Sequence, residues 1–208
     1  MRQPLALVLS AFLLAGTAAD THAQGRTTDF ILGAGATMGL ATDEEATESR
    51  IGRNAAAGFS LRVIDMVGLR VEGGYIEKGA GSEFSEGGAA GQLNIEIDYL
   101  VLRGLLEIGG DFHLLAGASV GRDMRCNVAI DVSVEGIDMS REQSCADMRV
   151  ETNTDYGITA GAGVNVGLFG VTVLATEGLT EIFAGDNAPT GRNRTISLVG
   201  AFRIPLAG

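Results

Sequence analysis

Histidine, the most versatile general base, occurs only twice in this chain of 208 residues, at positions 22 and 113. Nucleophile triads built on an imidazole therefore have His113 alone to draw on once a leader containing His22 is removed. His113 begins a strand-like segment, where a hydrogen bond inside a fold suits it better than proton transfer. Glu72, Glu96 and Asp98 could form an acid and base set, but Arg62, Arg70 and Arg203 fall on the same sequence phase and would neutralise them. These six residues are expected to form a lumen charge network. The glycine-rich stretches GAGAT (33–37) and GAGVNVG (161–167) resemble phosphate loops, yet neither opens a helix, as a phosphate loop must. No enzyme, cofactor site or metal site is expected.

Cys126 and Cys145 are the only cysteines. An even count in an exported chain predicts a disulfide between them, closing a loop outside the strand cores. Export follows from the N-terminus: Arg2, an apolar run from Leu5 to Gly16 and a small-residue ending at Ala23 make residues 1–23 a signal peptide, with cleavage after Ala19 as the alternative. Residues 24–208 are then one domain. No stretch of 18 consecutive apolar residues follows, so a helical membrane span is excluded and only a barrel could cross a bilayer.

The segments that must hold these residues alternate with period two. Eight of them run over 30–41, 54–64, 67–77, 93–103, 111–121, 155–167, 169–179 and 194–204. Each is near the 9 to 11 residues that a tilted strand needs to cross a bilayer. Short connections alternate with long ones at 42–53, 78–92, 122–154 and 180–193, so the long loops share one end. The prediction is an all-β, eight-stranded antiparallel up-and-down transmembrane β-barrel with short periplasmic turns and long extracellular loops. Asp43, Glu44 and Glu45 fall in a polar, non-periodic stretch and read as solvated loop.

One phase carries Phe30, Leu32, Phe59, Leu61, Leu69, Val71, Ile158, Val164, Leu198 and Phe202; the other carries glycine, serine, threonine and the charges. Glycine on a water-facing strand would weaken it by about 0.5 to 1 kcal/mol per site, whereas a crowded lumen needs small residues. The charged phase is therefore expected inside and the apolar phase in lipid. In LNIEIDYLVL (93–102) this puts Glu96 and Asp98 in the lumen and Ile97, Tyr99 and Val101 in lipid. With no Trp and three Tyr the aromatic belt is thin, and the alternative is a soluble exported lipocalin-like barrel binding a small ligand.

The order of VEGGYIEKGA (71–80), LNIEIDYLVLRG (93–104), HLLAGASVG (113–121), EGLTEI (177–182) and SLVGAFRI (197–204) resembles the PorT-like family of outer-membrane β-barrel proteins. Glu177 stands where that family carries an aromatic. The resemblance implies the cell outer membrane, barrel-assembly machinery and outer-membrane lipid as partners, and no catalytic residue. A net charge of −11 excludes nucleic acid as a partner. The long 122–154 segment, with NVAIDVSVEGIDM, predicts a hairpin extending beyond the membrane and a surface or secretion partner. The function expected is a structural or surface-interaction role with a closed, charge-paired lumen, not a general porin.

Overall fold

The structure, a computed structural model, describes residues 27–41, 48–86, 89–134, 137–148, 150–184 and 191–206. The proposed signal peptide and Asp43 to Glu45 lie outside them. Eleven strands follow in order: β1 (Thr28–Ala41), β2 (Glu48–Ile64), β3 (Val67–Glu86), β4 (Ala89–Gly109), β5 (Phe112–Val134), β6 (Ile137–Ser144), β7 (Glu151–Thr152), β8 (Asp155–Val166), β9 (Phe169–Glu181), β10 (Phe183–Ala184) and β11 (Arg192–Leu206).

Eight of them close a ring in the order β4, β3, β2, β1, β11, β9, β8, β5, with β4 pairing back onto β5. Every neighbouring pair is antiparallel. Closure removes the edges that an open sheet would expose. The expected eight-stranded barrel is thus present, with both chain ends of the ring at the short-turn end. Its turns there are residues 65–66, 110–111 and 167–168. Gly167 takes φ +62° and Gly109 φ +126°, left-handed conformations that L side chains rarely adopt.

One connection is shorter than expected. The segment after Arg103 continues as strand to Gly109, so two residues rather than about seven join β4 to β5. Leu105 and Leu106 are both apolar, which blurs the alternation, and only pairing with β3 and β5 reveals that strand continues through them.

At the long-loop end the strands outgrow the ring. β3, β4 and β5 contain 20, 21 and 23 residues, and β6 pairs with β5 to add a further strand. Together their upper halves form a wall rising from one side of the barrel. A second, two-stranded sheet of β7 and β10 lies across the mouth.

Candidate functional site

Successive strand side chains alternate between lumen and exterior. Leu32, Leu69, Val71, Leu100, Leu114, Ile158, Val173 and Leu198 all point outward and are large exposed hydrophobics, Leu100 at 55% and Leu198 at 54%. On β3 this apolar band runs from Val67 to Tyr75, eight residue steps. That is about 26 Å along a strand and about 20 Å across a layer at a 40° tilt. At its upper limit the outward phase turns polar on most strands: Arg53 follows Ala55, Glu77 follows Tyr75, Asp98 follows Leu100, Arg122 follows Val120, Glu177 follows Ala175 and Arg194 follows Ile196. Glu177 and Arg194 pair across β9 and β11 through two contacts of 2.6 and 3.1 Å, and this carboxylate raises the Arg194 pKa.

Aromatics mark the lower limit. Phe30, Phe59, Phe112, Phe169 and Phe202 all lie on the outward phase near the short-turn end. Phe30 stacks edge-on against Phe59 at 5.5 Å, and Phe169 against Phe202 at 5.7 Å. The thin belt expected from tryptophan and tyrosine is thus a phenylalanine belt on one rim, with Tyr75 and Tyr156 toward the other.

Inside, charges meet in three stacked clusters. Near the short-turn end Arg203 reaches Glu107 at 2.9 Å and Asp29 at 3.2 Å, and also donates to Ser60. His113 is buried beside them, with its Nδ1 3.3 Å from the Asn165 amide and its Nε2 without a partner among the described residues. Higher, the Glu72 carboxylate holds both Arg70 at 2.7 Å and Arg103 at 2.9 Å. Below the mouth, Lys78 pairs with Asp155 at 2.5 Å and lies 4.7 Å from the centre of the Tyr99 ring. Asn193 donates to both Asp155 and Tyr99. Burial pushes the Lys78 ammonium below the ordinary lysine pKa, against the pull of Asp155.

Hydroxyl pairs and aliphatics stand between these clusters. Thr37 bonds Ser197 and Asn54, Thr159 bonds Thr176, and Leu105, Leu115 and Leu174 pack together. Four cations (Arg70, Lys78, Arg103, Arg203) thus face four carboxylates (Asp29, Glu72, Glu107, Asp155). Balanced pairing is what a confined, low-dielectric space demands of charge.

Of the six charges expected in the lumen, Arg70, Glu72 and Arg203 lie there and three do not. Arg62 sits by the 65–66 turn, donating to the Asp65 carbonyl. Glu96 pairs with Arg50, with side-chain exposures of 43% and 31%, and Asp98 shares its face. β4 runs in the opposite phase from the one expected: Ile97, Tyr99 and Val101 point inward and are buried, Ile97 at 2% exposure. The strand extends past the apolar band, so the outward charges at 96 and 98 meet no apolar surroundings. The signals for the correct phase were Arg103 and Glu107, charges on the phase of Tyr99 within the band. Arg103 and Glu107 were missed because Glu96 and Asp98 set the opposite phase, and Asp29, Lys78 and Asp155 because nothing local singles them out.

The mouth is covered. Ile76, Ile97, Tyr99 and Val101 form a cluster with Cys145 and Phe183, against which Ile95, Cys126, Val128, Val150 and Ile182 also pack. A disulfide joins Cys126 to Cys145, tying this cover to the wall, and no cysteine is free. Asn153 fastens the cover again by donating to the carbonyls of Glu181 and Phe183.

Comparison with protein families finds no match to this chain, and comparison with characterised proteins by sequence finds none. Among solved structures, the chain is similar to Neisserial surface protein A, with 12% identity, a TM-score of 0.48, and 83% of this chain and 96% of that one covered. It is also similar to the attachment invasion locus protein Ail of Yersinia pestis, at 13% identity and a TM-score of 0.42 over 88% of this chain and all of that one. The translocator domain of the autotransporter NalP from Neisseria meningitidis follows at 10% identity and 0.29, over 96% of each chain.

Proposed function

We propose that this protein is a small outer-membrane β-barrel with a closed lumen, which acts at the cell surface through its projecting wall and neither conducts solutes nor catalyses a reaction. The observation that carries it is the outward apolar band, closed around the ring and bounded by phenylalanines below and charges above. Soluble proteins rarely expose so large a continuous apolar surface. A soluble lipocalin-like barrel would turn that face inward around a cavity, whereas here the lumen is filled by ion pairs and hydroxyl pairs. The PorT-like resemblance remains a proposal about ancestry, supported by the order of its short motifs.

Polarity of insertion follows from the same layout: short turns toward the periplasm, wall and cover outside. The test is fractionation of cells followed by gel electrophoresis of heated and unheated outer membrane, with planar-bilayer recording of the purified protein. Expected are outer-membrane recovery, heat-modifiable mobility and electrical silence. A buffer-soluble protein would overturn the membrane assignment, and stable single-channel conductance would overturn the closed lumen.

A further inference from the structure

The wall ends in β6. Among the described residues β6 pairs only with β5, in an unbroken register from Asn127 opposite Ser144 to Val134 opposite Ile137. Proteins normally blunt such edges with proline, lysine or a bulge. The sequence IDMSREQS has no proline and no lysine, its register has no bulge, and residues 139–142 are all exposed.

Which backbone groups are free follows from one bond. The Cys145 N–H donates to the Cys126 carbonyl at 3.0 Å, and their Cα atoms are 5.4 Å apart, the spacing of a hydrogen-bonded antiparallel pair. Such pairs alternate along a ladder. Hence residues 139, 141 and 143 bond to β5, while the N–H and C=O groups of residues 138, 140 and 142 point away from it.

The two faces beside this edge differ. Val128 packs against the cover of the mouth, so its phase looks over the barrel, with Ile130 and Val132 on β5 and Met139, Arg141 and Gln143 on β6. Met139 is 58% exposed. The opposite phase carries Asp131, Ser140 and Glu142, and a groove of about 650 Å³ takes its lining from both phases, with Glu83, Asp131 and Ser140 from this one and Val132 and Met139 from the other. Two carboxylates and no cation line that groove.

Charge over the whole chain points the same way. The segments 42–53, 77–98, 122–155 and 177–194, which link the spanning segments at the wall end, hold nine Lys and Arg against twenty Asp and Glu. The rest of the chain from residue 24 holds five against five. Counting only the described residues of those segments, eight Lys and Arg stand against fifteen Asp and Glu, so the acidic excess lies at that end.

We infer that β6 is a docking edge for an extended, basic segment of another protein, which adds to the wall as a further strand. Its apolar side chains would lie beside Met139, and its lysines or arginines beside Glu142 and the acidic groove. Strand addition draws affinity from main-chain bonds and specificity from alternate side chains. This rests on the surface reading above.

The test uses the full-length protein folded into lipid nanodiscs and a fluorescent ten-residue peptide alternating valine and arginine, read by anisotropy. Ser140→Pro removes an outward N–H while leaving the β5 ladder intact, a substitution that edge positions tolerate. Expected are at least tenfold weaker binding to Ser140→Pro, unchanged binding to Ser140→Ala, and at least tenfold weaker binding of a valine–glutamate peptide to the wild type. Equal binding by Ser140→Pro, equal binding of the acidic peptide, or no binding by the wild type would overturn the docking edge. So would cross-linking between copies that Ser140→Pro abolishes, since the occupant would then be this chain itself. Heat-modifiable mobility of each variant separates these failures from loss of the barrel: a chain that never inserts into lipid refutes the membrane assignment instead.

Discussion

Replacing Glu72 by glutamine should destabilise the barrel more than any single change to a surface ion pair. The Glu72 carboxylate accepts from Arg70 Nε at 2.8 Å, Arg70 Nη2 at 2.7 Å and Arg103 Nη1 at 2.9 Å, and all three side chains are buried. Arg103 Nε already lacks a partner among the described residues. A glutamine keeps the volume but removes the charge, leaving two guanidinium groups close together in a confined space. Breaking a buried pair in this way costs about 3 to 5 kcal/mol, much of it the penalty of the stranded charge. With a urea dependence of about 2.5 kcal/mol per molar, the unfolding midpoint should fall by about 1.5 M. The assay is urea unfolding of the lipid-embedded protein, followed by the gel mobility of unheated samples. Glu96→Gln is the control: its partly exposed pair with Arg50 should contribute less than about 1 kcal/mol. The double variant Glu72→Gln with Arg103→Met should recover part of the loss, because it removes one stranded cation. A midpoint for Glu72→Gln within about 0.3 M of wild type, or a larger loss for Glu96→Gln, would refute the assignment of lumen charges.

Val71→Arg, outward in the apolar band, should cost about 2 to 4 kcal/mol in folding into lipid vesicles, whereas Glu77→Arg, six residues higher and beyond the band, should be nearly neutral; similar losses at both would remove the boundary placed between them. Gly163→Ala should disturb the lower cluster, since a Cβ there would sit 2.5 Å from His113 Nε2 and 2.8 Å from Thr172 Oγ1. Overpacking of this kind costs about 1 to 3 kcal/mol, measurable in the same unfolding assay, and a wild-type midpoint would show that the imidazole lies elsewhere. Thiol labelling of the denatured, unreduced protein should find no free cysteine, and removing the Cys126 to Cys145 link, which spans 19 residues, should cost about 3 kcal/mol in the chain-entropy account. Protease treatment of intact cells should then cut residues 145–152 faster in Cys145→Ser than in wild type, unless the cover is held without the disulfide.

The eight segments, their antiparallel succession and the inward or outward phase of six of them are local properties. Alternation within ten residues reveals two faces, and glycine against leucine tells which face is crowded. The cysteine pair was legible for a similar reason, since two candidates leave one pairing. The phase of β4 was hard to read, because leucines stand on both of its faces between Leu100 and Leu106, with Arg103 and Glu107 the only charges inside the band, while its more visible charges, Glu96 and Asp98, lie where the strand has left the band. How far a strand runs past that band depends on what it pairs with: Ala89 to Asp98 remain strand because β3 and β5 flank them. Charge partners were equally out of reach. Arg203 meets Asp29 from 174 positions away, and Lys78 meets Asp155 from 77. A sequence lists the cations and carboxylates that a lumen must neutralise, but closure of the ring and its register decide which of them stand within hydrogen-bond reach of each other.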